Sequence, residues 1–261
     1  MQWLNIDLPE EFESISLIPF ADTHDGAPEF NEKKFLAYRD WVLAEPTRFC
    51  LFNGDLVNNA VKSSVSNVYE EVRRPKAQVE HVTELIAPLA EAGRVCVVIE
   101  GNHEYRSGRE VDYSPAERIA SDLGVPFAAE GAYLRVRVGK QKDFNRKPVC
   151  YGIYVSHGTG GGKTEGAVAN QLREMAISNF AHVYIMAHRH IALAFHGEYG
   201  MPDWQNKQMH PVQQLFVCVP SFVEWGGYAE RKMLRRRPTG AVEIRLSGLR
   251  QQATATIGDI L

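Results

Sequence analysis

Residues 94–105, RVCVVIEGNHEY, combine a short apolar run with an abrupt polar ending. The run at residues 95–100 is mostly β-branched or apolar and is too short for a typical helix, so it predicts a buried strand. The strand stops at Gly101, and Asn102, His103 and Glu104 follow it at once. Polar chemistry at a strand end is typical of α/β enzymes.

The chain before this stretch repeats the same arrangement of strand, polar ending and helix. Residues 14–20 (SISLIPF) and 47–53 (TRFCLFN) predict strands, which end in ADTHDG and GDLVNN. Residues 31–44 and 67–92 predict helices, with Pro75 expected to break the second. Ser114 and Pro115 predict the start of a further helix that ends at Gly124.

In the second half of the chain, predicted strands occur in pairs and no longer alternate with helices. Residues 132–138 and 149–155 predict strands, joined by a polar hairpin loop at 139–148. A helix is expected at 164–180, and strands are expected at 183–187, 191–195, 212–219 and 241–246. Since no repeat, low-complexity tract or long linker divides the chain, we expect a single domain over residues 1–261.

The composition is that of an ordinary globular protein. Apolar residues make up 44% of the chain and the net charge is −3, so no general positive field indicates a nucleic-acid partner. We expect no membrane association, because the sequence has neither a run of 18 apolar residues nor a secretion signal. The cysteines lie singly in apolar runs, which predicts buried, reduced strand residues and a cytoplasmic location.

Five predicted strands end in residues that can bind metal ions. Alternate residues of an extended chain point to one side, so Asp22 with His24, and His188 with His190, are expected to converge. Neighbours such as Asn102 and His103 should diverge. The set contains carboxylate, carboxamide and imidazole groups but no thiolate, which favours Mn, Fe or Zn over a Cys-rich structural zinc site. Its members, in chain order, are Asp22, His24, Asp55, Asn102, His103, His157, His188 and His190.

This ordered set resembles the signature of the calcineurin-like metallophosphoesterases, in which the motifs are Asp-x-His, Gly-Asp, Gly-Asn-His-Glu, His and His-x-His. The resemblance implies an α/β fold, a four-layer αββα sandwich of two mixed β-sheets flanked by helices. It also implies two divalent transition metal ions, with Mn preferred and Fe, Zn or Ni as alternatives. One ion would be held by Asp22, His24 and His190, the other by Asn102, His157 and His188, and Asp55 would bridge them.

The mechanism implied by the resemblance is in-line attack on phosphorus by a metal-bound hydroxide, so that no separate strong base is needed. His103 would stabilise the phosphoryl group or protonate the leaving oxygen, and the alternative is that it only orders the Asn102 loop. Together with Asp55 it is our candidate catalytic residue. Glu104 is expected to order the loop.

The sequence differs from the family pattern at several positions, and these differences argue against some of the activities found in the family. Ala187 occupies the position of the usual glycine before His188, which a turn with negative φ would tolerate. The sequence after Asp55 lacks the Asp-Arg-Gly of protein phosphatases, which argues against that activity. Residues 157–164, HGTGGGKT, lack the first glycine of a P-loop. This run predicts either a plain turn or a loop whose Lys163 binds phosphate.

The remaining basic residues suggest the substrate. Arg106 is either a phosphate clamp or a surface ion pair. Arg231, Lys232 and Arg235–Arg237 predict either a phosphate-backbone track or a solvated face, and residues 227–232 and 238–240 resemble, more weakly, uncharacterised phage and prophage phosphoesterases. We therefore expect a phosphodiesterase acting on DNA, RNA or nucleotides. The alternatives are a phosphomonoesterase and a non-catalytic scaffold of the same fold, and the sequence predicts no oligomeric state.

Overall fold

The computed structural model describes residues 2–61, 64, 68–141 and 147–258. Their strands are β1 (Gln2–Asp7), β2 (Ser14–Phe20), β3 (Arg48–Asn53), β4 (Val95–Ile99), β5 (Phe127–Ala128), β6 (Ala132–Val138), β7 (Val149–Ser156), β8 (Val183–Met186), β9 (Leu193–Asp203), β10 (Gln208–Cys218), β11 (Glu243–Ser247) and β12 (Ala253–Thr256). Their helices are α1 (Glu32–Leu43), α2 (Pro75–Glu91), α3 (Asn102–Val111), α4 (Pro115–Leu123), α5 (Glu165–Ser178) and α6 (Gly227–Arg231).

The strands form two mixed six-stranded sheets. The first has the order β12-β11-β2-β3-β4-β5, and β2 to β5 run parallel to one another. The second has the order β1-β6-β7-β8-β10-β9, with β7 and β8 parallel. Because carboxyl ends of neighbouring parallel strands share one edge, the polar endings of β2, β3 and β4 lie side by side, as do those of β7 and β8.

Three apolar layers hold this arrangement together. Leu17 and Leu51 of the first sheet pack with Ile153 of the second in the core between the sheets. The outer face of the first sheet packs on α1, α2 and α4, and the outer face of the second packs on α5. Burying each such side chain contributes about 1.5–3 kcal/mol. The layers are therefore helix, sheet, sheet and helix, which confirms the predicted αββα sandwich; the single-domain boundary of 1–261 stays a prediction.

Helix ends follow local chemistry that the sequence shows. The Ser114 hydroxyl accepts a hydrogen bond from the Glu117 N–H at the start of α4, and Gly124 ends this helix with a φ of 64°. Pro75 does not break a helix as expected. It begins α2, since the first turn needs no N–H from that position.

Several elements differ from the predicted ones. The structure adds β1, β5, β12, α3 and α6, and it lengthens β9 and β10 into an 11-residue hairpin pair whose outer half is exposed. Strand β1 is a largely exposed edge strand, and its partner among the described residues is β6, 130 residues away. Part of the predicted loop at 139–148 lies outside the described residues, as does Asn67.

All four cysteines lie on strands, but only part of the burial prediction is confirmed. Cys50 and Cys218 are buried, and Cys96 is partly buried. Cys150 is exposed, because its neighbours Val149 and Tyr151 occupy the inward positions of β7. Among the described residues, no helix combines the length and apolar character needed to cross a membrane.

Candidate metal centre

Each predicted ligand follows the carboxyl end of a strand, and the two sheets bring these ends to one place. Asp22, Asp55 and Asn102 follow β2, β3 and β4, while His157 and His188 follow β7 and β8. The sheets are linked at this edge, since the Asn53 side chain donates to the Ser156 carbonyl over 3.1 Å. The Asp22 carboxylate also accepts from the His188 N–H over 3.0 Å.

The backbone that presents these side chains is not extended. Asp22, His24, Asp55, His188 and His190 all have φ between 48° and 65°, the left-handed region that residues other than glycine seldom occupy. Alternation along an extended chain is therefore the wrong explanation for the convergence of these pairs, although they do converge. Such conformations each cost of order 1–3 kcal/mol and are typical of functional sites.

A first cluster contains Asp22, His24 and His190, whose ligand atoms lie within 4.8 Å of one another. His190 Nε2 is 3.3 Å from Asp22 Oδ1, and the same distance separates it from His24 Nε2. Asp22 is fully buried and His24 is nearly so. Two imidazole nitrogens facing each other beside a carboxylate form a site suited to a cation.

A second cluster contains Asp55, His157 and His188, again within 4.8 Å. His157 Nε2 lies 3.3 Å from Asp55 Oδ2 and 3.2 Å from Asn102 Oδ1, so the carboxamide joins this cluster. His157 Nδ1 is 2.6 Å from the Asn53 carbonyl, to which it must donate. This bond leaves the Nε2 lone pair directed at the cluster in the neutral ring.

Unsatisfied buried atoms show that these clusters fit a metal. Asp22 Oδ1 and His188 Nδ1 are buried without a hydrogen-bond partner among the described residues. His188 Nε2 instead donates to the Gly160 carbonyl over 3.1 Å, which leaves Nδ1 as the atom able to bind an ion. Buried polar atoms in proteins are almost always paired, and a cation in each cluster would satisfy the unpaired atom there.

Strong electrostatic coupling links the acids and bases of the two clusters. Burial raises the pKa of Asp55, but His157, His103 and His24 together outweigh it and hold the pKa well below its usual range. Burial lowers the pKa of His157, and the Asp55 carboxylate reverses this and raises it to about 10. The Asp22 pKa is likewise lowered by His190 despite burial. Protons therefore occupy the place of cations in the metal-free protein, and metal binding would release them.

His103 lies on the first turn of α3, between the clusters and the cleft. Its ring packs edge-on against His24 with centroids 4.4 Å apart, and its Nε2 is 3.8 Å from Asp55 Oδ2. Nδ1 donates to the Asn58 carbonyl over 2.8 Å. Burial lowers the pKa of His103 to about 3. His103 forms a further group with His24 and Asp55, whose ligand atoms lie within 4.8 Å of one another, while Asn102 contacts His157 of the second cluster, so the two neighbours reach different parts of one centre.

Glu104 orders the loop that carries Asp55. Its carboxylate accepts hydrogen bonds from four backbone N–H groups, those of Asp55 (3.0 Å), Leu56 (2.6 Å), Val57 (3.1 Å) and Gly101 (2.9 Å). The side chain is fully buried. Burial and the charge of Asp55 raise its pKa to about 7, whereas the N–H donors act in the opposite direction. The expected loop-ordering position of Glu104 is thus what the structure shows.

Two glycines permit the close approach of the β3 and β4 ends. Gly54 has a φ of 82°, and a Cβ on it would lie 2.5 Å from His157 Nδ1. A Cβ on Gly101 would clash with the backbone N and the carboxylate of Asp55. Ala187 is not among the described residues with positive φ, so its methyl group is tolerated where the family has glycine.

A network behind His103 was missed in the sequence. The Asn59 side chain donates to the His103 carbonyl (2.7 Å) and to the Ser107 hydroxyl (2.8 Å). Gln78, fully buried on α2, accepts from the Asn59 N–H over 2.9 Å and donates to the Arg73 carbonyl over 2.8 Å. A glutamine within an amphipathic helix gives no local sign of such a function.

The predicted substrate-binding residues line an open cleft above the clusters, with a volume of about 760 Å³. Arg106 lies on the side of His103, where its guanidinium is 3.4 Å from the Asn58 carbonyl. Lys163, which ends the glycine-rich run, also borders the cleft. The segment with clustered arginines also borders this cleft, through Arg231, Arg235 and Arg237.

Histidines outside the pattern have structural positions. His81 Nδ1 lies 2.9 Å from the buried Asp25 carboxylate. His182 Nδ1 accepts from the Gly152 N–H over 2.9 Å, and His196 Nε2 lies 3.1 Å from the Ala253 carbonyl. His210 is exposed on β10. None of these four contributes to the clusters found among the described residues.

Comparison with known families agrees with this set of residues. The family model for the calcineurin-like phosphoesterase matches residues 17–213. The sequence has no match among curated proteins. Similar solved structures include a predicted phosphoesterase from Streptococcus pneumoniae TIGR4, with 14% identity, coverage of 93% of this chain and 98% of that chain, and a TM-score of 0.39.

Two further structures are similar at the same low level. They are the NAD nucleotidase of Haemophilus influenzae (12% identity, 94% and 49% coverage, TM-score 0.46) and nuclease MPE of Pseudomonas putida (14%, 92% and 87%, TM-score 0.34). These similarities are too low to support any statement about substrate. The family model covers most of the chain and includes every predicted ligand. The chain belongs to the calcineurin-like phosphoesterase family.

Proposed function

We propose that this phosphoesterase is a dinuclear metal-dependent phosphodiesterase that hydrolyses nucleic acid or nucleotide phosphodiesters. The proposal rests above all on the position of Asp55 Oδ2. This oxygen lies 3.3 Å from His157 Nε2 of the second cluster and 3.8 Å from His24 Nε2 of the first. One carboxylate therefore contacts both clusters, as a bridging ligand must.

The donor set suits two divalent transition metal ions. We assign one ion to Asp22, His24 and His190 and the other to Asn102, His157 and His188, with Asp55 shared. Manganese is the preferred ion, with Fe, Zn or Ni as alternatives, because the donors are oxygen and imidazole without thiolate. When bound, the ions would lower the pKa of a water toward about 7 and stabilise negative charge on the phosphoryl group.

His103 is the residue assigned to the substrate. Its Nδ1–H is committed to the Asn58 carbonyl, so Nε2 faces the cleft as an acceptor in the neutral ring. Donation from Nε2 to a phosphoryl or leaving oxygen therefore requires the imidazolium form. A phosphate dianion or monoanion next to Nε2 would favour that form, since an opposite charge nearby raises the pKa of a histidine.

The cleft favours an extended anion over a small monoester. Arg106, Lys163 and arginines of the 231–237 segment all border it. Cations spread along a groove are typical of proteins that follow a phosphate backbone. A phosphomonoesterase remains the second candidate within the enzyme class, and a scaffold without catalysis is the third. We further propose a cytoplasmic protein with one domain over residues 1–261.

Metal analysis joined to substrate comparison tests the proposal. We expect purified protein to carry about two equivalents of transition metal and, with added Mn²⁺, to hydrolyse bis(p-nitrophenyl) phosphate faster than p-nitrophenyl phosphate. Asp55→Asn should lose activity by a factor of about 100 or more, because both ions lose a ligand. Asp122→Asn, at an exposed position on α4, is the matched control.

Other outcomes favour the alternatives. A preference for the monoester would identify a phosphatase, and protein free of both metal and hydrolysis would identify the scaffold. Full activity of Asp55→Asn would remove the bridging assignment.

A further inference from the structure

The glycine-rich run after His157 forms one wall of the cleft, next to the metal centre. Residues 158–164 follow β7 directly, and the Gly160 carbonyl accepts from the predicted ligand His188 over 3.1 Å. Gly158 and Gly160 have φ values of 92° and 91°, which bend the chain over the clusters. Gly160, Gly161, Gly162 and Lys163 all border the cleft.

Side chains donate hydrogen bonds to the carbonyl groups of this run. The Thr159 carbonyl accepts from Gln171 (2.6 Å) and from Arg189 (3.2 Å), and the Gly162 carbonyl accepts from Arg189 as well. The Lys163 carbonyl accepts from Arg237 over 2.8 Å. In contrast, the N–H groups of residues 159–163 make no hydrogen bond to another described residue. Backbone N–H groups left unpaired beside cationic side chains are a recurrent setting for anions.

Two cations next to this wall have no hydrogen-bond acceptor of their own among the described residues, namely Lys163 and Arg235. Both are exposed and both border the cleft. Arg237 differs, because it is engaged with Glu165 at 2.7 Å. The cleft is also bordered by Glu29, Glu70, Glu71 and Glu224. The cleft therefore contains charges of both signs, and we expect an anion in it to lie next to the cations of Lys163 and Arg235, which have no acceptor among the described residues.

We infer that Lys163, Arg235 and the N–H groups of residues 159–163 bind a second phosphate of the substrate, next to the phosphate that is cleaved. The chemical class is a flanking phosphodiester of a polynucleotide strand. This inference rests on the proposed function and adds a specificity site to it. The site increases the affinity for substrates with several phosphates, whereas the affinity for a substrate with a single phosphate is unaffected by it.

The test compares substrates that have one and many phosphates. Lys163→Ala/Arg235→Ala is assayed with Mn²⁺ on bis(p-nitrophenyl) phosphate and on a labelled single-stranded oligonucleotide. The control is Lys76→Ala/Arg118→Ala, which removes one lysine and one arginine from exposed positions on α2 and α4. Circular dichroism verifies that all variants are folded.

We expect kcat/KM for the oligonucleotide, divided by kcat/KM for the small diester, to fall about tenfold in the cleft variant and to stay unchanged in the control. An unchanged ratio, whether both activities persist or both decline together, overturns the inference. Wild-type protein that hydrolyses the small diester but no oligonucleotide also overturns it and leaves the diesterase proposal intact. Failure of the wild type on every diester would overturn both.

Discussion

Glu104 gives the sharpest test of how this site is held together. Its two carboxylate oxygens each accept two backbone N–H groups, Oε1 from Leu56 and Val57 and Oε2 from Asp55 and Gly101. Glu104→Gln keeps the shape of the side chain but replaces one oxygen by an NH₂ group. That group would face two N–H donors, which could no longer be satisfied in the buried loop.

The size of the effect follows from this geometry. A buried N–H group without an acceptor costs about 1–3 kcal/mol, so two of them destabilise the fold by about 2–6 kcal/mol. For a chain of this size, a central value of about 4 kcal/mol corresponds to a Tm decrease of about 8–16 °C. Glu104 is ionised at pH 8, because burial raises its pKa only to about 7. Since its unfolded pKa is lower, wild type loses stability as the pH rises toward 7, and the difference from Glu104→Gln should be smaller at pH 8 than at pH 5.

Thermal and urea unfolding of metal-free protein at pH 8 measure this loss directly. Glu91→Gln, at an exposed position near the end of α2, is the matched control and should change the free energy of unfolding by no more than about 0.5 kcal/mol. A loss below about 1 kcal/mol for Glu104→Gln would show that the loop does not depend on the four N–H bonds.

Two further changes test the surroundings of the site, and a third tests a buried histidine at the other end of β8. Gly101→Ala should abolish metal retention and hydrolysis, because its Cβ would displace Asp55, whereas Gly108→Ala, with open space around that position on α3, should keep both; metal analysis and diester assays distinguish them. Gln78→Leu should lower kcat about tenfold with metal content retained, since an unpaired Asn59 N–H costs about 1–3 kcal/mol and loosens the support of His103. Because burial lowers the pKa of His182, the unfolded chain binds a proton more readily. The stability that neutral His182 provides is therefore complete above about pH 6.5 and lost as the pH falls. Urea unfolding at pH 7.5 and 5.5 should show a smaller acid loss for His182→Gln than for wild type.

The parts of the fold that were predicted correctly depend on local patterns. An apolar run of strand length followed by polar residues marks β2, β3, β4, β7 and β8, and each predicted ligand lies directly after one of them. Ser114 and Gly124 bound α4 because capping involves neighbours within a few residues. These local patterns predict the structure correctly because they do not depend on contacts with distant parts of the chain.

Features that were missed depend on contacts between distant parts of the chain. The helix α3 begins at Asn102 within a stretch expected to be a loop, and its first turn is tied to residues 55–57 through Glu104. The left-handed conformations of Asp22 and His188 also give no sign in the sequence, because neither residue is a glycine and the strain is offset by tertiary hydrogen bonds. Gln78 is a comparable case, as its partners lie outside its own helix.

The arginine-rich segment shows why charge counting in a sequence overstates a binding surface. In the folded chain Arg231 pairs with Glu70 at 3.0 Å, Arg237 pairs with Glu165, and Arg236 lies 4.3 Å over the ring of Trp225. Five cations gripping a single strand would give a slope of log affinity against log salt of about −3.5. Lys163 and Arg235 alone would give about −1.4. A measured slope for wild-type binding near the smaller value, lost in Lys163→Ala/Arg235→Ala, would show that ion pairing within the fold has removed most of the apparent phosphate track; a slope near the larger value would show that the substrate displaces those acids.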